Sequence, residues 1–293
     1  MTPFDTDILM IGHVAKDELV VDGHSKFASG GAVQYGSIAL RRLGIDVSVA
    51  TRLHPDDFPL LDEMKAEGVQ VWATASAATS RLTNRYNSAD MERRICELSS
   101  FAGPFSPPEI PDLKARTYAV VPVIAGEVDL ALLQDLAQRG PVALDIQGFV
   151  RAPNGQDLVF EDWPDMAQGL SHITYLKADQ AEAELLTGQT DLEKAAPRLA
   201  EYGPQEIVLT QSSGVTVFAN GKIYRASFSP RALNGRTGRG DTCFSTYLGM
   251  RLSESPQQAT RWAAAVTTLK QETPGPWRGS RAEAQALLEN HEH

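Results

Sequence analysis

Gly238-Arg239-Gly240-Asp241 puts a carboxylate at the mouth of a glycine-bounded turn that opens a helix running to about Leu252. Gly238 and Gly240 bracket Arg239 without bulk, so successive backbone N–H groups can converge on one point. The free amides of the following helix add to the same positive field, and a phosphate fits there. Asp241, in the first helical turn, is placed to take the proton of a hydroxyl nucleophile held beside that phosphate. The chemistry is phosphoryl transfer to an alcohol. The same four residues also describe an ordinary turn with an acidic residue set favourably against the helix dipole, so the surrounding elements have to decide.

Short continuous apolar runs at 8–11, 47–50, 118–123, 142–144, 173–176 and 207–209 read as parallel strands buried on both faces. Between them, 32–43, 127–138, 180–186 and 191–201 carry apolar residues at helical spacing, which gives repeated β-α units. The fold class is α/β, a mostly parallel central sheet flanked by helices. Residues 17–24 and about 81–98 break the alternation and read as strands, with a turn near 88–90. They are expected to form a small β lid, from about 14–29 and 81–98, on one domain spanning 1–293; the other reading is a surface hairpin with no closing role. Asn220-Gly221 is a two-residue hairpin signal, and the Pro-rich stretch 104–111 reads as a connection between elements.

Composition narrows the class. The chain has 293 residues, 42% of them hydrophobic, enough for a full globular core. It has no leader-like N-terminus and no apolar run of about 18 residues or more, so a cytoplasmic protein is expected. Two cysteines, Cys96 and Cys243, make neither a disulfide framework nor a Cys-rich metal site, and both are expected to be reduced. A net charge of −10 argues against nucleic acid or an anionic membrane as partner. The six histidines show no metal-ligand spacing, and His291 and His293 read as a disordered tail. No Gly-x-Gly-x-x-Gly follows the first strand, which disfavours a nicotinamide-dependent oxidoreductase.

In this order the motifs resemble those of the PfkB, or ribokinase-like, family of carbohydrate and nucleoside kinases, over about residues 7–280. Gly12 followed by Asp17 matches the family's spacing after the first strand, which implies that Asp17 binds substrate hydroxyls. Gly30-Gly31 ahead of a helix is similar to its di-glycine signature, with Tyr35 where the family has a substrate-binding asparagine. An aromatic there could pack on the apolar face of a substrate ring. Asp145-Ile146-Gln147 with Arg151 downstream is similar to the family's Asp-x-Asn-x-x-x-Arg stretch, and in this form resembles the myo-inositol kinase branch. These residues either contact substrate or form an Asp145–Arg151 pair at a strand end.

Asp179 and Glu182 resemble the family's Asn-x-x-Glu motif, which implies that they act on a magnesium ion through its waters; a helix-capping pair is the other reading. Thr210-Gln-Ser212-Ser-Gly214 stands in the place of the nucleotide loop, one residue shorter and without its first glycine. Thr237 joins the donor-binding residues, and Gly238 to Asp241 matches the Gly-Ala-Gly-Asp signature with Arg239 for alanine. The resemblance implies an ATP- and Mg2+-dependent kinase for a small polyol or sugar, with a cyclitol such as myo-inositol favoured over a pentose, hexose or nucleoside. Monovalent-cation activation is common in the family and is left open by the sequence, and the lid's exposed strand edges are a natural surface for a homodimer, as family members often pair. A non-catalytic sugar- or nucleotide-responsive protein on the same scaffold is the alternative, motivated by the altered Thr210 loop and Arg239; the retained Asp241 argues against it.

Overall fold

Alternate residues of a strand point to opposite faces, so a strand apolar at every position must be covered twice. The first strand shows this directly: Ile8 and Met10 join one hydrophobic cluster, while Leu9 and Ile11 join another on the opposite face. The computed structural model describes residues 4–22, 24–87 and 90–290. The turn expected at 88–90 therefore lies in part outside the described residues, as do His291 and His293.

In chain order the strands are β1 (Thr6–Ile11), β2 (Ala15–Val21), β3 (His24–Gly30), β4 (Val47–Leu53), β5 (Gln70–Ala75), β6 (Arg81–Asn87), β7 (Asp90–Ser100) and β8 (Ala115–Val120). They continue with β9 (Val142–Asp145), β10 (Arg151–Asn154), β11 (Asp157–Phe160), β12 (Tyr175–Asp179), β13 (Glu206–Gln211), β14 (Gly214–Ala219) and β15 (Lys222–Ser227). The helices are α1 (Ala32–Arg42), α2 (Asp62–Ala66), α3 (Leu130–Arg139), α4 (Gln147–Val150), α5 (Met166–Leu170), α6 (Gln180–Thr187) and α7 (Leu192–Ala200). Three more follow: α8 (Arg239–Arg251), α9 (Pro256–Gln271) and α10 (Arg281–Asn290).

The main sheet runs β15-β14-β13-β12-β9-β8-β1-β4-β5, parallel from β13 to β5 with β14 and β15 antiparallel at one edge. Helices α1, α2, α8, α9 and α10 supply the cluster on one face, and α3, α5, α6 and α7 supply the other. This is the ribokinase-like α/β architecture expected. Asn220 and Gly221 both adopt left-handed backbone (φ 53 and 72), as the hairpin between β14 and β15 requires.

A second sheet, ordered β10-β11-β7-β6-β2-β3, is antiparallel except where β2 runs alongside β6. Here the sequence reading needs three corrections. Residues 17–24 are not one strand: β2 and β3 pair as a hairpin that turns after Val21, with Asp22 left-handed at φ 48, and the Asp22-Gly23 dipeptide is the turn signal. Strands β10 and β11, joined across Asn154-Gly155, extend the small sheet although neither was foreseen; four residues are too few to show a period. Strand β8 stops at Val120 and α3 starts at Leu130, because the amides of Val123 and Ile124 donate to the buried Glu127 carboxylate (2.7 and 3.0 Å) and do not extend the ladder. Among the described residues no helix is long and apolar enough to cross a membrane.

Candidate active site

The carboxyl ends of parallel strands are where an open α/β sheet binds ligands, and the chain converges there. Asp145 closes β9, Asp179 closes β12 and Thr210 lies at the end of β13. Opposite them Gly238 caps α8 in left-handed backbone (φ 80, ψ 10). A side chain at Gly238 would also reach within 2.1 Å of the Tyr35 ring, so glycine is required there both by backbone and by space. Gly240 is different: its nearest neighbour would be Lys177 at an ordinary 3.4 Å, and it faces the cavity. The amides of Gly240 and Asp241 fall in the first turn of α8, where no intrahelical acceptor exists.

A cavity of about 270 Å3 gathers most of the residues singled out from the sequence. Asp17, Gly31 and Tyr35 line it from the β2, β3 and α1 side; Gln147 and Arg151 from the segment after β9; Asp179 and Thr210 from the strand ends; and Thr237, Gly238, Arg239, Gly240 and Asp241 from the loop into α8. Gly30 lies just behind this wall against the Asp17 carboxylate. Glu182, Asp145, Ser212 and Gly214 do not line the cavity.

The reasons differ for each. Gly214 pairs with Gln211, leaving Ser212 exposed at the tip of a two-residue turn between β13 and β14. The connection between β13 and β14 is a tight hairpin, which holds Ser212 and Gly214 away from the cavity. Asp145 and Arg151 form no ion pair. Asp145 accepts from Lys177 Nζ (3.0 Å) and from the Gln147 amide (3.1 Å), which leaves Arg151 to the cavity. Asp179 and Glu182 form a reciprocal capping box: Asp179 Oδ1 accepts from the Glu182 amide (2.9 Å) and Glu182 Oε2 from the Asp179 amide (2.6 Å). Glu182 Oε2 lies 3.7 Å from Lys177 Nζ, while its buried Oε1 has no hydrogen-bond partner in the protein. Among the described residues no group of three or more metal-ligating side chains assembles. Asp179 on the cavity and the orphaned Glu182 Oε1 fit a hydrated magnesium ion held through its waters, and do not fit a stripped one.

The cavity gathers cations out of proportion to the acidic chain as a whole. Arg151, Lys177, Arg236 and Arg239 meet Asp17, Asp179 and Asp241 around one small volume, in a protein of net charge −10. Burial, then the nearby Asp145 carboxylate, pushes Asp241 up to about 6, while Lys177, Lys270 and Arg151 pull it down. That is a useful value for a general base near neutral pH. Burial alone would discharge Lys177, but the carboxylates of Asp145, Glu182, Asp179 and Asp241 outweigh it and raise the lysine above its ordinary value. Burial, against the opposing Lys177 charge, lifts Glu182 to about 7.

Lys177, Arg236, Leu82, Asn84 and Val123 also line the cavity and were not foreseen as site residues. Lys177 left a signal: a lone cation inside the apolar strand Tyr-Leu-Lys-Ala-Asp is tolerated only with partners. Asn84, on β6, is buried with its Oδ1 unpartnered in the protein; nothing in a strand of alternating polarity marks it.

The sequence matches the pfkB family of carbohydrate kinases over residues 5–277. No curated protein sequence matches the chain. Among solved structures, a pyrophosphate-dependent kinase in the ribokinase family, complexed with a pyrophosphate analog and myo-inositol, is 36% identical. It superposes with a TM-score of 0.88 over 95% of this chain and 99% of its own. A pyrophosphate-dependent myo-inositol-1 kinase, converted to a myo-inositol-3 kinase by two substitutions, is 34% identical, with a TM-score of 0.88 over 98% of this chain and 100% of its own. Arabidopsis thaliana ribokinase, complexed with ribose and ATP, shares the fold at 18% identity, with a TM-score of 0.75 over 97% and 98%. A family match over residues 5–277 leaves one assignment: the protein is a member of the pfkB family of carbohydrate kinases, phosphotransferases with an alcohol group as acceptor.

Proposed function

We propose that the protein phosphorylates a hydroxyl of a cyclitol, myo-inositol foremost, and that its phosphoryl donor is pyrophosphate and not the ATP expected from the family signature. The observation that carries the reading is the meeting of Asp241, the Gly238 to Gly240 turn and four cationic side chains in one cavity of about 270 Å3. Pyrophosphate is all charge and needs cations and amides. A nucleotide needs in addition a surface for its base and ribose, and Ser212 and Gly214, the residues expected to help form one, are held in a hairpin turn away from the cavity. The relatives at 34 and 36% identity, both pyrophosphate-dependent, support the same donor.

In this reading the donor lies across the amides of Gly240 and Asp241 with Arg151, Lys177, Arg236 and Arg239 around it. Asp17, Gln147 and Asn84 hold the acceptor hydroxyls; a carboxylate can accept from two neighbouring hydroxyls of a polyol. Asp241 takes the proton of the attacking hydroxyl as its oxygen bonds to phosphorus. The bridging P–O bond of pyrophosphate breaks, and inorganic phosphate leaves with the electron pair. Magnesium, held through waters at Asp179 and Glu182, would neutralise charge on the donor. The small sheet, which contributes Asp17, Leu82 and Asn84 to the cavity, acts as a lid whose closure excludes water as a competing nucleophile.

The test is formation of a phosphomonoester, read by phosphorus NMR, with magnesium and either pyrophosphate or ATP, across inositols, pentoses, hexoses and nucleosides. Inositol phosphate formed from pyrophosphate is the expected result. Turnover with ATP alone would overturn the donor, and turnover confined to pentoses or nucleosides would overturn the acceptor.

A further inference from the structure

Lys270 is buried completely, yet it lies outside the cavity lining and has no part in the steps above. Its surroundings are specific. Nζ donates to the carbonyl of Gly235 (2.7 Å) and stands over the Tyr35 ring, 5.2 Å from its centroid. Tyr35 in turn packs on Gly238, the cap of α8. One ammonium thus touches the first residue of the anion loop directly and its last glycine-required residue through an aromatic ring. The end of α9 completes the grip. The amides of Asn234 and Gly235 both donate to the Gln271 carbonyl (3.0 and 2.9 Å), and Asn234 Nδ2 donates to the carbonyl of Glu272 (3.2 Å).

We propose that the Lys270 ammonium is a built-in monovalent cation that fixes the anion loop for donor binding, so that turnover needs no dissociable monovalent ion.

A hydrogen bond to Gly235 alone would not justify a buried charge, since an amide side chain could make it at a fraction of the desolvation cost. The charge has a use because Asp241 and the incoming donor are both anionic. Burial lowers Lys270 most, Asp241 favours its protonated form, and Arg239 and Arg278 oppose it, which leaves it at about 8. A donor phosphate arriving at the loop adds to the favourable side, so anion binding and retention of the ammonium support each other. Lys270 touches no reacting atom and is a positioning residue.

The inference rests on the kinase reading, and its test separates the two. Wild type, Lys270→Ala and Lys270→Gln are compared by calorimetric binding of pyrophosphate and by turnover, in buffers whose only monovalent cation is tetramethylammonium, with and without ammonium or potassium. Wild type is expected to ignore the added ions. Lys270→Ala, folded by circular dichroism, should lose about 100-fold in turnover through misplacement of the loop. Ammonium or potassium, small enough for the vacated space, should restore about tenfold or more of that loss and of pyrophosphate affinity. Lys270→Gln, which keeps a donor to Gly235 without the charge, should be impaired and, with its space filled, not rescued. A wild type that requires potassium, a folded Lys270→Ala variant that no small cation rescues, or a Lys270→Gln variant as active as wild type would each overturn the proposal. A wild type that binds pyrophosphate but phosphorylates no polyol would defeat the acceptor assignment and leave the binding comparison intact.

Discussion

Two buried lysines act on Asp241, and their environments drive them in opposite directions. Lys177, in the middle of β12, is surrounded by Asp145, Glu182, Asp179 and Asp241 and is held charged well above its ordinary range. Lys270, at the end of α9, has burial and two arginines against it and only Asp241 in its favour, and falls to about 8. Burial is common to both, so it does not decide the state of either. The carboxylates gathered around each one do. The Lys177 side of the cavity is therefore a fixed ionic scaffold, and the Lys270 side is a charge poised to respond to an arriving anion.

Removing the carboxylate that both lysines share gives the largest effect. Asp241→Asn should keep the fold and lower kcat by about 1,000-fold, the contribution of a well-placed general base. A steady-state assay that finds near-normal turnover would remove the base assignment and with it the common partner of the two lysines.

The two sides should then differ in stability. Lys177→Met strands Asp145 and Glu182, 1% and 0% exposed, without their cation and should cost about 3–5 kcal/mol in urea denaturation at pH 7. Lys270→Met removes one hydrogen bond to a carbonyl along with a costly buried charge, and should cost about 1 kcal/mol or less. Their pH dependences should diverge as well. Because Lys270 is lowered from 10.5 to about 8, the native state binds fewer protons than the unfolded chain between those values. Wild-type stability relative to Lys270→Met should therefore rise with pH across that window. Lys177 is raised, so its contribution is complete below 10.5 and lost only at higher pH. Equal destabilisation by the two variants, or parallel pH curves, would erase the distinction.

The smallest effect is a displacement of the activity profile. With Asp241 at about 6, kcat/KM should fall as the base protonates below that pH. Burial and then Asp145 hold Asp241 up, so Asp145→Asn should move the acid limb to lower pH. A limb unmoved in that variant would show that the Lys177 scaffold and the base are electrically independent.

The sequence by itself determined the α/β class, the glycine-bounded turn that opens α8 at Asp241 and the family, because each is carried by near neighbours in the chain. A continuous apolar run specifies a doubly covered strand wherever it sits, and a turn into a helix presents its amides whatever surrounds it. It also offered a capping pair as one of two readings of Asp179 and Glu182, three residues apart, and the structure shows that capping box. The tertiary structure alone decided which charges meet. Asp145 is joined to Lys177 across 32 residues and not to Arg151, six residues away, and Gly235 to Lys270 across 35. The tertiary structure also enrolled β10 and β11 in the small sheet, brought Asn84 to the cavity and withdrew Ser212 and Gly214 from it. The physical reason is that a buried charge or polar group takes whichever partner the strand order brings within hydrogen-bonding reach, and strand order is settled by the packing of the whole sheet.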